Sequence, residues 1–217
     1  MEKRRTEAQI LQRYGVLFEN VKKDTVLAAE LAEYGYDATA IAQGEALYNN
    51  LVQKYDTNKA ETAQETTAYA VFSNAFENTL NTYKTDRKKA KIVFKNQPDV
   101  LKNLQLNKSL IERNATMIDA MRLFYEMLQN NAEWVNALQR LKITTDHVNQ
   151  QLANVTNVQT VYATYVQEKG ESQQATQDKN KAFDEVNKWV SEFYSVAKIA
   201  LEDQSQLLES IAKWVRS

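Results

Sequence analysis

Only one histidine, His147, and no cysteine are present, so imidazole and thiolate chemistry is confined to a single side chain. A di-iron bundle needs Glu-x-x-His on core-facing helical positions, because carboxylates and imidazoles must converge on the metals. Three residues before His147 stands Thr144, so that signature is absent. A histidine-based triad would have to use a residue beside Asp146 in the first turn of a helix, and His147 reads as a surface or boundary residue. Asp119, Glu126 and Glu133 lie seven apart, hence on one helical face, and Glu19 stands 107 residues before Glu126. Buried together, such carboxylates would bind a cation or do acid–base work. Flanking an apolar seam, they are expected to form an ordinary solvated or salt-bridged face.

No two glycines lie close enough to build a phosphate-cradling loop. The densest positive run, Asp86-Arg87-Lys88-Lys89-Ala90-Lys91, falls near a helix C-terminus, where cations offset the macrodipole, with contact to phosphate or an acidic protein the lesser alternative. Trp189, Phe193 and Tyr194, with Trp214, are the residues that would form an aromatic groove for a partner helix or apolar ligand; core packing is the competing role. Sequons at Asn107, Asn114 and Asn154 carry meaning only on a secretory route. Catalytic, cofactor-binding and metal-ligating residues are therefore expected to be none.

The elements that position these residues are helices. Four glycines and one proline punctuate 217 residues, too few for the turns of a sheet protein. Lys and Arg number 27 against 28 Asp and Glu, so no nucleic-acid footprint is expected. Absence of cysteine suits any redox compartment, and no run approaches the ~18 apolar residues of a spanning helix, so a cytoplasmic protein is expected.

Sliding the sequence by 107 positions without a gap brings Leu31 onto Leu138, Tyr55 onto Tyr162, Ala75-Phe76 onto Ala182-Phe183, and Ala90-Lys91-Ile92 onto Ala197-Lys198-Ile199. The chain thus reads as two repeats, 1–106 and 107–217, each constrained to similar local structure and expected to integrate into one domain. Ile10, Tyr14, Leu17, Val21, Ala28 and Leu31 in one, and Met117, Met121, Phe124, Leu128, Val135 and Leu138 in the other, form an a/d seam. Asp24 and Asn131 occupy the same rung of these seams, as a buried register-fixing layer or, preferably, a solvated gap. Gly35 should end the first helix in the left-handed conformation and Asp37 cap the next, with Lys142-Ile143-Thr144 doing the same later. Helix then continues through the polar stretch 56–67 to about residue 95. Unbent, it would be ~87 Å long. Gly170, in the matching second-repeat stretch, makes a bend easier there, and Pro98 is the strongest stop.

The segment Ala197-Lys198-Ile199-Ala200-Leu201-Glu202-Asp203-Gln204-Ser205-Gln206-Leu207-Leu208-Glu209, with Gly35-Tyr36-Asp37 and Ala90-Lys91-Ile92-Val93-Phe94, resembles a family of bacterial all-helical proteins with an internal duplication. That resemblance implies a natural bacterial domain and no particular activity. In architecture alone the chain is similar to spectrin-type three-helix repeats. With continuous long helices, residues 65–95, 107–141 and 144–168 make one three-helix unit, while 3–56 and 172–215 are complementary pieces of another. They would close within the chain, swap in a dimer or join head to tail; a compact up-and-down bundle with bent polar stretches is the preferred alternative.

The expectation is an all-α, internally duplicated bundle that serves as a non-enzymatic scaffold or interaction protein. Its partner would be a protein or a second copy of itself. The alternative is a carrier holding a small apolar ligand in a cavity between helices.

Overall fold

A computed structural model describes residues 5–110 and 113–211 of the chain. It is all-α. Helices α1 (Glu7–Lys23), α2 (Thr25–Glu33), α3 (Ala38–Val93), α4 (Pro98–Asn103), α5 (Asn114–Gln129), α6 (Ala132–Leu138), α7 (Thr145–Ala200) and α8 (Ser205–Ser210) follow in order, with a 3₁₀ turn at Gln139–Leu141. α3 and α7 each run 56 residues, and both ends of α7 stand 107 positions after those of α3. α4 and α8 have the same offset.

The helix boundaries follow from local chemistry. Thr6 and Gln9 form a reciprocal capping box at the start of α1, Thr6 Oγ1 accepting from Gln9 N–H and Gln9 Oε1 from Thr6 N–H. Gly35 takes φ +88°, and Asp37 accepts from Ala40 N–H at 2.9 Å to start α3. Lys142 adopts the left-handed conformation at φ 63°, and Thr144 Oγ1 then accepts from His147 N–H. Pro98 opens α4, where its missing N–H costs nothing.

Two expectations need correction. The first helix of each repeat is not continuous. Asp24 turns its carboxylate onto the N–H groups of Val26 and Leu27, both at 3.0 Å, so it caps α2 instead of forming a buried rung. Asn131 breaks the second helix at the matching place, its amide donating back to the Met127 carbonyl at 2.7 Å. Nor do the polar stretches interrupt the long helices: 56–67 lies wholly within α3, and α7 passes through Gly170 as α-helix.

The chain divides into two compact units, residues 63–170 and residues 1–62 with 171–217, so each draws on both sequence repeats. In the discontinuous unit, α1, α2, the first part of α3, the second part of α7 and α8 enclose Leu17, Phe18, Leu27, Leu31, Leu51, Val186, Phe193 and Ala197. The N-terminal hairpin and the C-terminal helical segment thus close on each other within one chain. In the contiguous unit, the second part of α3, α4 to α6 and the first part of α7 enclose Phe72, Tyr83, Ala90, Met121, Phe124, Tyr125, Leu128, Val155 and Val158. In both units the α3 and α7 segments pack side by side and bury their apolar stripes.

Candidate functional site

In the contiguous unit, α3 faces the core with Tyr83, Asp86, Arg87 and Ala90, spaced as neighbours on one helical stripe. Asp86 is 1% exposed and Arg87 6%. The positions 107 residues on, in the other unit, hold Phe193 and Tyr194, both buried in an apolar core. A carboxylate and a guanidinium therefore stand where the related unit carries two aromatic rings. Burying ionised groups costs several kcal/mol each unless partners restore what water supplied.

Asp86 collects partners from both other long helical elements. Its Oδ2 accepts from Tyr125 Oη of α5 at 3.0 Å and lies 2.6 Å from His147 Nε2 of α7. Lys89, a turn along α3, reaches Oδ1 at 3.4 Å. Burial, then the Asp86 charge and the hydrogen bond to it, push the Tyr125 phenol far above its usual value, so it is held as a neutral donor. His147 is half-buried, its side chain 25% exposed, and bridges elements rather than sitting freely at the surface. Chemically, a buried carboxylate orienting an imidazole is the base-and-orienter half of a catalytic triad. Among the described residues no hydroxyl bonds the imidazole ring itself, and Thr144 engages only the His147 backbone.

Arg87 turns the other way. It donates from Nη1 to Tyr83 Oη at 3.1 Å and from Nη2 to the Lys108 carbonyl at 2.9 Å. The latter bond fixes the segment after α4, where Gln105 takes φ 52° and Leu104 and Leu106 plug into the core. Above the guanidinium opens a concavity of about 300 Å³ lined by Lys84, Arg87, Lys88, Lys91, Lys108, Ser109 and Leu110. A second, wider one in the discontinuous unit is lined by Asp24, Val26, Asp203, Gln204, Gln206 and Leu207.

The sequence-derived candidates are distributed differently. Asp119 and Glu126 are joined by Arg122, with both contacts at 2.7 Å, while Glu19 pairs with Lys23 and Glu133 is exposed. These four carboxylates do not converge. Of the aromatic group, Phe193 and Tyr194 are core residues and Trp189 is half-buried against them. The Trp189 ring stacks on Phe193 at 5.3 Å and meets Tyr36 edge-on at 5.6 Å, and Tyr194 Oη donates to the Ile211 carbonyl. These rings thus fill the interior of their unit. Trp214 lies outside the described residues. No described helix is long and apolar enough to cross a membrane.

Asp86, Arg87 and Tyr125 were not singled out from sequence as a buried group, because a run with four basic residues reads as a solvated helix end. The repeat register carried the signal, since Asp86-Arg87 aligns with Phe193-Tyr194 and Tyr125 with Phe18. Compared with protein-family models, curated proteins and solved structures, the chain matches none.

Proposed function

We propose that the chain is a non-enzymatic helical interaction protein that associates with itself through equivalent surfaces on its two compact units. The observation that supports this is the pair Ile92 and Ile199. They are related by the 107-residue offset, and each is 63% exposed near the end of its long helix. Both belong to the retained triplet Ala-Lys-Ile. Complete burial accounts for Ala90 and Ala197, which leave no room for a larger side chain. The exposed isoleucine recurs at the same place in both units without being buried in either, and a protein surface that covers it would account for that recurrence. The two concavities described above are lined largely by charged and polar side chains, which argues against enclosure of a small apolar ligand in either.

Light scattering over a hundredfold concentration range tests the reading. The native chain is expected to gain mass above the monomer as concentration rises, and the double variant Ile92→Ser, Ile199→Ser to remain monomeric with an unchanged helical spectrum. A native chain that stays monomeric throughout would refute self-association.

A further inference from the structure

We propose that the concavity over Arg87 binds a small soluble polyphosphate, a molecule with two or three linked phosphoryl groups. Among the described residues five cations line it, Lys84, Arg87, Lys88, Lys91 and Lys108, together with Ser109 and Leu110, and none of these described lining residues is a carboxylate. None of the five forms an ion pair among the described residues. The adjacent carboxylate, Asp86, is turned to Tyr125, His147 and Lys89.

The floor of the site is built rather than incidental. Arg87 is 94% shielded from solvent, its 6% exposure opening into the concavity, and two of its five N–H donors are spent on Tyr83 and Lys108. The remaining donors of a guanidinium fork match phosphoryl oxygens in geometry and charge. Holding like charges together disfavours the folded state, and a bound anion that compensates the cluster stabilises it.

The charge count sets the class of ligand. A terminal phosphoryl group carries about −1.5 to −2 at neutral pH and a linked inner one about −1, so three linked groups come nearest to balancing the five described cations, two leave a small excess and one falls far short. The α3 cations span about 10 Å, from Lys84 to Lys91, a length suited to a short chain of phosphoryl groups and too short for an extended polyanion. The corresponding positions of the other unit are Ser191, Tyr194, Ser195 and Lys198, and the mate of Lys108 is Met1. Only one of the five cations recurs, so the property belongs to the contiguous unit alone.

The test is calorimetric titration of the full chain with inorganic tripolyphosphate at constant ionic strength, with orthophosphate, single-stranded RNA and an acidic peptide as parallel probes. Expected are one saturable site, tripolyphosphate binding at least tenfold tighter than orthophosphate, and a higher melting temperature with tripolyphosphate than with sodium chloride of equal ionic strength. Lys88→Ala with Lys91→Ala removes two exposed cations without touching the core and should weaken binding about tenfold. Arg87→Lys should weaken it by ten- to a hundredfold, about the value of hydrogen bonds to a charged group. Lys198→Ala, in the other unit, should change nothing. Failure to saturate at millimolar tripolyphosphate overturns the proposal, as does an unaltered affinity in the Lys88, Lys91 double variant. RNA or acidic peptide binding more tightly through the same lysines would also overturn it, by making the site one for a polymer.

Discussion

Gly44 is the residue at which packing and helix propensity oppose each other most directly. A Cβ built on it would lie 2.5 Å from Trp189 Cε2 and 2.6 Å from Cη2, about 1 Å short of ordinary carbon–carbon contact. The indole has little freedom to retreat. It is stacked on Phe193 at 5.3 Å, edge-on to Tyr36 at 5.6 Å and tilted against Phe18 at 5.4 Å. Gly44→Ala gains about 1 kcal/mol of helix propensity. Overpacking of a filled core costs about 1–3 kcal/mol, so a net loss of about 1 kcal/mol or somewhat more is expected. Gly170→Ala supplies the control, because its added methyl meets nothing within 4 Å in the interior of α7. It should gain about 0.5–1 kcal/mol. Urea denaturation of both variants, followed by far-UV circular dichroism, measures the contrast. In a Trp189→Leu background, Gly44→Ala should turn from destabilising to stabilising, since the two residues couple directly. If Gly44→Ala stabilises the native chain as much as Gly170→Ala does, the indole does not press on α3 and the packing account fails.

Alkaline pH should unfold the chain through its tyrosines. Tyr125 is held far above the ordinary value of 10.0, and Tyr14, Tyr36, Tyr48 and Tyr194 are also raised, each chiefly by burial. Above pH 10 the unfolded state binds fewer protons than the folded one, so this stability is complete below that pH and is lost as pH rises toward the folded values. Tyr125 contributes a slope of about 1.4 kcal/mol per pH unit, and urea titrations between pH 9 and 11.5 should show Tyr125→Phe with a shallower decline than the native chain. Asp86→Ala strands the Tyr125 hydroxyl in the core and frees His147, at a cost of about 3 kcal/mol. Thermal denaturation reads that loss, and it should shrink when Tyr125→Phe is already in place.

The helical class, the Gly35 and Pro98 boundaries and most of the seam are legible in the sequence because they rest on local chemistry and periodicity. Tyr14, Leu17, Val21, Met121, Phe124 and Leu138 all lie where the three-then-four spacing puts them. Asp24 and Asn131 show where that reasoning stops. A heptad pattern continues across a break of one or two residues, so periodicity alone does not register the interruption, although an N-cap residue at the right place announces it. The Asp86 cluster was hidden for a different reason. Whether a charged residue on a helix faces water or protein depends on its rotation about the axis, and here Tyr83 and Ala90 fix that rotation only when the matching register of the other repeat is read beside them. Arg87 acquires its role from the Lys108 carbonyl, twenty-one residues away, a contact made by tertiary structure and by no local pattern.

The discontinuous unit imposes an order of events on biosynthesis. Residues 63–170 can complete their own core as soon as they leave the ribosome, but residues 7–62 have to wait for the segment that begins at 171 and reaches Ile211. At ordinary elongation speeds that interval is roughly 10–30 s. Throughout it, the nascent hairpin carries Leu17, Phe18, Leu31 and Leu51 without the helix that will cover them, and a neighbouring chain at the same stage offers the same apolar stripe. Cotranslational mispairing is therefore expected to fall on the unit assembled from residues 7–62 and 171–211 rather than on the contiguous one.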